Sequence, residues 1–222
     1  MAKKKAKKSD GSGLIVVIVL GAVIVVLALI VLGGGFAPPA AQVTAESLAL
    51  CNGAPCPSKG SPDAPVVVVE FSDYACHNCR DFNLTTAPAL DREYVGTGKV
   101  RYVSHVFSLW PESIPAAAAS LCAHEQGKYW EFHEQAFVNF QQGRFPASEE
   151  FMSWARQAEF DEAAFQQCVE SGRYVDDAQL SALEGKRAGV SSTPTFFVNG
   201  AVVQGNAPLE LRSAIDAALA GR

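Results

Sequence analysis

From Ser9 to Ser58 the chain has no lysine or arginine. Basic residues are scarce altogether: there are 18 against 23 acidic ones in 222 residues, and five of them, Lys3, Lys4, Lys5, Lys7 and Lys8, crowd the N-terminus. Of the acids only Asp10 precedes residue 36, so the remainder carries 13 basic and 22 acidic residues, a net charge of −9. With no basic face to neutralise phosphates, nucleic acid is not expected as a partner. Charge of either sign is missing from Leu14 to Gly33, LIVVIVLGAVIVVLALIVLG, a run long enough to cross a bilayer as a helix. A small-x-small cleavage site is missing near its end. The nearest, Val43-Thr44-Ala45, lies well beyond, and the run is longer than the roughly 7–15 apolar residues of a signal peptide. Leu50 before Cys51 argues against a lipoprotein site. These absences favour an uncleaved anchor over a cleaved signal, and either one exports the rest of the chain. The lysine bias sets the orientation: residues 1–13 form a basic cytoplasmic segment, 14–33 a single transmembrane anchor in the cell membrane, and the remainder lies outside the cytoplasm.

What is present is a well-stocked apolar chain, 49% hydrophobic, ample for a core. After the anchor, GGGFAPPAAQ reads as a linker, so residues 34–61 are expected to be linker and N-terminal extension, with the folded domain spanning 62–222. The run VVVVEF from Val66 is rich in β-branched residues and predicts a strand buried on both faces. Cys76 to about Tyr94 has helical spacing, with a kink predicted at Pro88. KVRYVSHVF, Lys99 to Phe107, is a second strand, and a strand, helix, strand unit makes the two strands parallel.

Residues 112–188 are helical in pattern throughout: Ala116–Gln126, Lys128–Phe140, Ser148–Ala158, Asp161–Ser171 and Tyr174–Ala188. Strands resume at PTFFVNG and AVVQG around the turn Asn199-Gly200. A last helix, Pro208–Ala220, carries proline in its first turn. The fold class is therefore α/β, a sheet domain interrupted by an α-helical insertion at about 112–188.

Six cysteines in an exported domain predict disulfides. Cys76 and Cys79 sit where a buried strand passes into a helix. There the helix N-terminus favours a thiolate at the first cysteine, lowering its pKa from about 8.5, while the second, one turn in, is less exposed. An exposed thiolate backed by a buried partner suits thiol–disulfide exchange. Cys51, Cys56, Cys76 and Cys79 also spell C-x4-C-x19-C-x2-C, close to zinc spacing. Against zinc, the second pair is aimed by a strand into a helix, and no metal is expected. Cys51 with Cys56 then closes a small loop worth about 2 kcal/mol, a local staple favoured over a relay of oxidation to Cys76, and Cys122 with Cys168, if bonded instead of packed as buried thiols, a long one worth about 4 kcal/mol.

Three motifs, EFSDY followed by CHNC, then CAHEQGKYWEFHEQAF from Cys122 to Phe137, then GVSSTPTFFVNG from Gly189 to Gly200, resemble the DsbA-like thioredoxin-fold disulfide oxidoreductases. The resemblance covers about Pro62 to the C-terminus. It implies a thioredoxin fold with a helical domain inserted between its β-α-β and β-β-α halves, Cys76 and Cys79 as the catalytic pair, and Pro194 as the family's cis-proline. Thr193 before it offers backbone groups to an extended substrate peptide. Glu70, an acid in an apolar strand, is expected to have a raised pKa and to exchange a proton with Cys79. His77, at the helix tip, is a candidate to stabilise the Cys76 thiolate, whereas His105, His124 and His133 show no partner pattern.

The resemblance further implies an oxidase acting on reduced exported clients without a cofactor, reoxidised by a quinone-linked membrane partner of the DsbB or vitamin K epoxide reductase type. A reductase or isomerase of the same fold is the alternative, although no dimerisation domain is evident. A non-catalytic zinc or client-binding module is a further one. His77-Asn78 departs from the commoner proline-histidine or proline-tyrosine dipeptide, and leaves the strength of the couple open.

Overall fold

The computed structural model describes residues 44–139 and 146–221. The expected anchor at 14–33 lies outside them, and among the described residues no helix is long and apolar enough to cross a membrane. The chain opens with α1 (Ala45–Leu48), then three two-residue strands, β1 (Leu50–Cys51), β2 (Ala54–Pro55) and β3 (Ser58–Lys59). The long strand β4 (Val66–Ser72) leads into α2 (His77–Asp81) and α3 (Ala87–Leu90), then β5 (Val100–Val106). Five helices come next: α4 (Ile114–Glu125), α5 (Tyr129–Val138), α6 (Ser148–Gln157), α7 (Glu162–Ser171) and α8 (Val175–Arg187). The hairpin β6 (Thr195–Val198) and β7 (Ala201–Gln204) and helix α9 (Pro208–Ala220) complete the domain.

The main sheet has the order β3-β5-β4-β6-β7. β4 runs parallel to β5, as the helical crossover dictates, and antiparallel to β6. Its apolar run is explained by its place at the centre, where six of its seven residues are buried. Side chains alternate across it. Val66 and Val68 join Phe82, Leu90, Phe196, Leu211 and Ile215 under the crossover helices and α9. Val69 and Phe71 join Phe107, Ala182 and Phe197 on the other face, under α8. The inserted helices form their own core around Phe132, Phe137, Phe151, Trp154 and Phe165, which runs on to Tyr74, Cys76 and Cys79. Cys122 on α4 is bonded to Cys168 on α7 within that core.

Two expectations are corrected. Pro88 does not simply kink one α-helix: π-helical turns at Phe82–Thr86 and Asp91–Val95 flank α3, absorbing the missing proline donor by widening the helix on either side. The folded unit also begins earlier than Pro62. Leu48, Ala49 and Cys56 are buried against Phe71 and Phe107. β3 adds an antiparallel edge to β5, pairing Ser58 with Val103 and Lys59 with Tyr102. Cys51 and Cys56 are bonded across the β1–β2 hairpin.

Helix α8 crosses the sheet closely because Gly185 has no side chain there: a Cβ would lie 2.5 Å from two ring carbons of Phe107 and 3.0 Å from Phe71. Gly185→Ala is therefore expected to overpack this face and destabilise the domain by about 1–3 kcal/mol, measured by denaturant unfolding.

Candidate active site

The site is built from the end of β4. Asp73, just past the strand, is buried, and its carboxylate accepts from the backbone N–H groups of Ala75 at 2.7 Å, Leu109 at 2.6 Å and Trp110 at 3.4 Å. Its carbonyl accepts from the Cys76 N–H at 3.0 Å. One side chain thus ties the turn before the helix to the loop after β5, and the turn delivers Cys76 as the N-cap of α2, with φ −93° and ψ 119°. The Cys76 sulfur accepts from the Cys79 N–H at 3.4 Å, as a capping oxygen does in other helices.

Thr193 arrives from the other side. The β4–β6 register sets Thr195 opposite Phe71, so the residues before Thr195 run on toward the turn that holds Cys76. The Thr193–Pro194 peptide bond is cis, and the Thr193 carbonyl accepts from the Cys76 thiol at 3.3 Å. The Thr193 hydroxyl is buried with no hydrogen-bond partner. Cys76 is less open than the sequence suggests, 7% exposed, because this segment lies over it; Cys79 is 0% exposed, so the expected order holds.

The two sulfurs differ sharply in proton affinity. Cys76 is pushed down to about 6, first by the hydrogen bond that its thiolate receives from the Cys79 thiol, then, against the opposing effect of burial, by Thr193 and the backbone N–H groups of Cys79 and Asn78. Burial pushes Cys79 well up, and the neighbouring Cys76 and Glu70 charges push it further. His77 is not among the groups that stabilise Cys76: its imidazole is turned to Asp81, 3.0 Å away and one turn along the same exposed face. The role expected for it from the sequence has no contact to support it.

Glu70 is fully buried, and its carboxyl is raised by that burial against the hydrogen bonds it accepts. Tyr102 donates to one oxygen at 2.7 Å and Asn83 to the other at 2.9 Å. The same Asn83 amide nitrogen donates to the Cys79 carbonyl at 3.0 Å, so Asn83 joins the acid to the second cysteine. On its other side Asn83 meets His133 Nε2 at 3.1 Å, and His133 Nδ1 meets the Tyr74 hydroxyl at 2.9 Å. His133 is buried and driven down to about 3 by desolvation, so it serves here as a neutral imidazole. Sequence reasoning missed Asp73, Asn83 and His133. The signal was faint: Asn83 lies one helical turn beyond Cys79, and His133 one turn beyond Tyr129.

The four-cysteine zinc arrangement does not form. Cys51 and Cys56 are bonded to each other beneath α8, while Cys76 and Cys79 are free thiols at the head of α2.

A family model described as Thioredoxin matches residues 56–217. The chain belongs to the thioredoxin family. The solved structure of oxidised BdbD from Bacillus subtilis shares this thioredoxin-family fold with a TM-score of 0.67, at 23% identity over 74% of this chain and 92% of that one. Disulfide bond formation protein D of Bacillus subtilis is 24% identical over 180 residues, 75% of this chain and 78% of its own length. The Na(+)/H(+) antiporter NhaA 3 of Salinispora tropica is 32% identical over 163 residues, 70% of this chain but 23% of the antiporter. The chain thus spans about a quarter of that relative's length, and the likeness is confined to one portion of it.

Two measurements check the site. Alkylation of the reduced protein should titrate with a midpoint near 6 at Cys76, and the midpoint should rise in Cys79→Ala, which loses the leading thiolate donor. Glu70 holds its proton more tightly folded than unfolded, so in the window from about 4.5 up to its raised folded value the fold gains protons relative to the unfolded chain. Its contribution to stability therefore declines as pH rises through that window. Glu70→Gln should remove that slope, seen as a pH-independent unfolding midpoint difference replacing a pH-dependent one.

Proposed function

We propose that the protein is a membrane-anchored thiol oxidase that introduces disulfides into exported proteins by exchange at Cys76–Cys79. A client thiolate attacks the Cys76 sulfur, the Cys76–Cys79 bond breaks, and Cys79 leaves and takes a proton. The client's second thiolate then attacks the mixed disulfide at the client sulfur, releasing the oxidised client and a Cys76 thiolate. Two electrons and the sulfur-bound protons pass from client to enzyme, and a quinone-linked membrane partner of the DsbB or vitamin K epoxide reductase type takes them onward. Thr193 and Pro194 border the sulfur that the client attacks, and the Thr193 backbone is placed to pair with an extended client strand. Glu70, joined to Cys79 through Asn83, is the acid nearest the leaving sulfur in bonding terms and exchanges its proton. The name of the Bacillus subtilis relative, disulfide bond formation protein D, supports the direction. The uncharged run Leu14–Gly33 behind five lysines supports an anchor with the catalytic domain outside the cytoplasm.

The observation that carries the oxidase reading is the stabilised Cys76 thiolate, because it exists in the reduced state alone. At pH 7 an ordinary thiol is about 1–3% ionised, whereas one at about 6 is roughly 90% ionised. The reduced form gains about 1.4 kcal/mol from this, or about 30 mV in a two-electron couple. Stabilising the dithiol makes the disulfide a stronger electron acceptor. The reduction potential of Cys76–Cys79, equilibrated against glutathione, should accordingly be more oxidising than the about −270 mV of thioredoxin. A value near thioredoxin's would reverse the direction and make the protein a reductase.

A further inference from the structure

The Cys51–Cys56 disulfide lies outside the exchange site, yet it is not surrounded only by inert core. The two sulfurs and a ring nitrogen of His105 all lie within 4.8 Å of one another. His105 is 1% exposed, stacked on Phe71 with ring centroids 4.4 Å apart, so its imidazole is fixed in direction. Its Nδ1 sits 2.6 Å from the Ser181 hydroxyl. That hydroxyl has one proton and gives it to the Val106 carbonyl at 2.5 Å, so Nδ1 must be the donor to Ser181. With its proton on Nδ1, the imidazole has Nε2 as its available ligand atom, 3.6 Å from Glu184 Oε2.

We propose that Cys51, Cys56 and His105 form a zinc(II) site that reduction of their disulfide opens, with the fourth position left to water. Two thiolates and one imidazole, with water in the fourth position, are a donor set that zinc takes in tetrahedral geometry, with bonds of about 2.3 Å to sulfur and about 2.0 Å to nitrogen. Such bonds set neighbouring ligand atoms roughly 3.5–3.8 Å apart. The imidazole is already close to both sulfurs, and the cysteine Cα atoms, 5.0 Å apart, allow the sulfurs to part by side-chain rotation. Ser181 plays the part that a hydrogen-bonded neighbour plays for metal-bound histidines, fixing which nitrogen is free. Access comes from a cavity of about 530 Å³ bordered by Cys51, Asn52, Pro57, Val106, Asp177 and Ser181. The chemistry balances with small-molecule thiols as reductant. Two of them convert the Cys51–Cys56 disulfide to two cysteine thiols and leave as their own disulfide, and zinc(II) then displaces one proton from each cysteine.

The test uses the full chain carrying Cys76→Ser and Cys79→Ser, so that the exchange pair contributes no ligand. Reduced with a phosphine and dialysed against zinc(II), it should hold one zinc per chain by elemental analysis, and the oxidised protein none. Cobalt(II) in place of zinc should give the charge-transfer absorbance of two thiolate ligands. Ser181→Ala, which releases the imidazole tautomer, should weaken zinc affinity about 10-fold, and His105→Gln and Cys51→Ser should weaken it further. Since His105→Gln also disturbs the stack on Phe71, the hairpin variants Cys51→Ser and Cys56→Ser give independent readings. Failure of the reduced protein to take zinc, retention of zinc by the oxidised protein, or binding that survives Cys51→Ser would each overturn the site.

Discussion

The Cys76 sulfur is held as a thiolate by donors that converge on it because a central strand ends one turn before a helix begins. The Cys79 N–H and thiol reach it from inside α2, and the Thr193 carbonyl meets it from the segment before β6. The Cys79 groups come from the helix that Cys76 caps, whereas the Thr193 contact depends on the β4–β6 register and on the turn that Asp73 ties down. A slip of one residue in that register would turn every side chain of β6 to the other face and carry Thr193 away from the sulfur. The inserted helices serve the same point from outside: their aromatic core continues onto Tyr74, Cys76 and Cys79 and keeps the second sulfur dry.

Much of this was legible in the sequence where a single local rule applies over several residues. The final helix was readable because proline tolerates the first turn, and Pro208–Ala220 is the observed span. The β6–β7 hairpin was readable from Asn199-Gly200, where both residues take positive φ, 45° and 94°. Four apolar residues in a row at Val66 announced a strand with neighbours on both sides. By contrast, Leu50–Cys51, Ala54–Pro55 and Ser58–Lys59 are strands of two residues, too short to show a period, and their place is decided by what they cover. That is why the segment before Pro62 read only as linker and N-terminal extension.

The candidate site was legible in its sulfur chemistry and opaque in its polar support. Cys-x-x-Cys and Thr-Pro carry their meaning in the sequence because spacing and residue type specify the chemistry. Asp73, Asn83 and His133 do not, because each acts through a partner far along the chain, such as Asp73 on Leu109 and Asn83 on His133. For His77, position at a helix tip suggested a role toward Cys76, and the structure places its imidazole 3.0 Å from the Asp81 carboxylate one turn along the same helix.

Burial of Cys79 and the hydrogen bond between the two sulfurs keep them far apart in proton affinity, and the buried acid adds to the difference. Helix-end donors stabilise a charge on Cys76, and that charge opposes a second one on Cys79. Glu70 acts in the same sense: its charge raises Cys79 and is not among the influences on Cys76. Its own raised carboxyl means that the proton it holds and the proton Cys79 holds are drawn from a similar, strongly desolvated setting. Two groups whose proton affinities have both been lifted by burial can exchange a proton with a smaller free-energy gap than either has with bulk water. Tyr102 and Asn83 keep that acid fixed beneath the helix, and Asn83 adds the link to the Cys79 backbone. The polar network thus adds, through the Glu70 charge, to what burial and the Cys76 charge already do at the second cysteine.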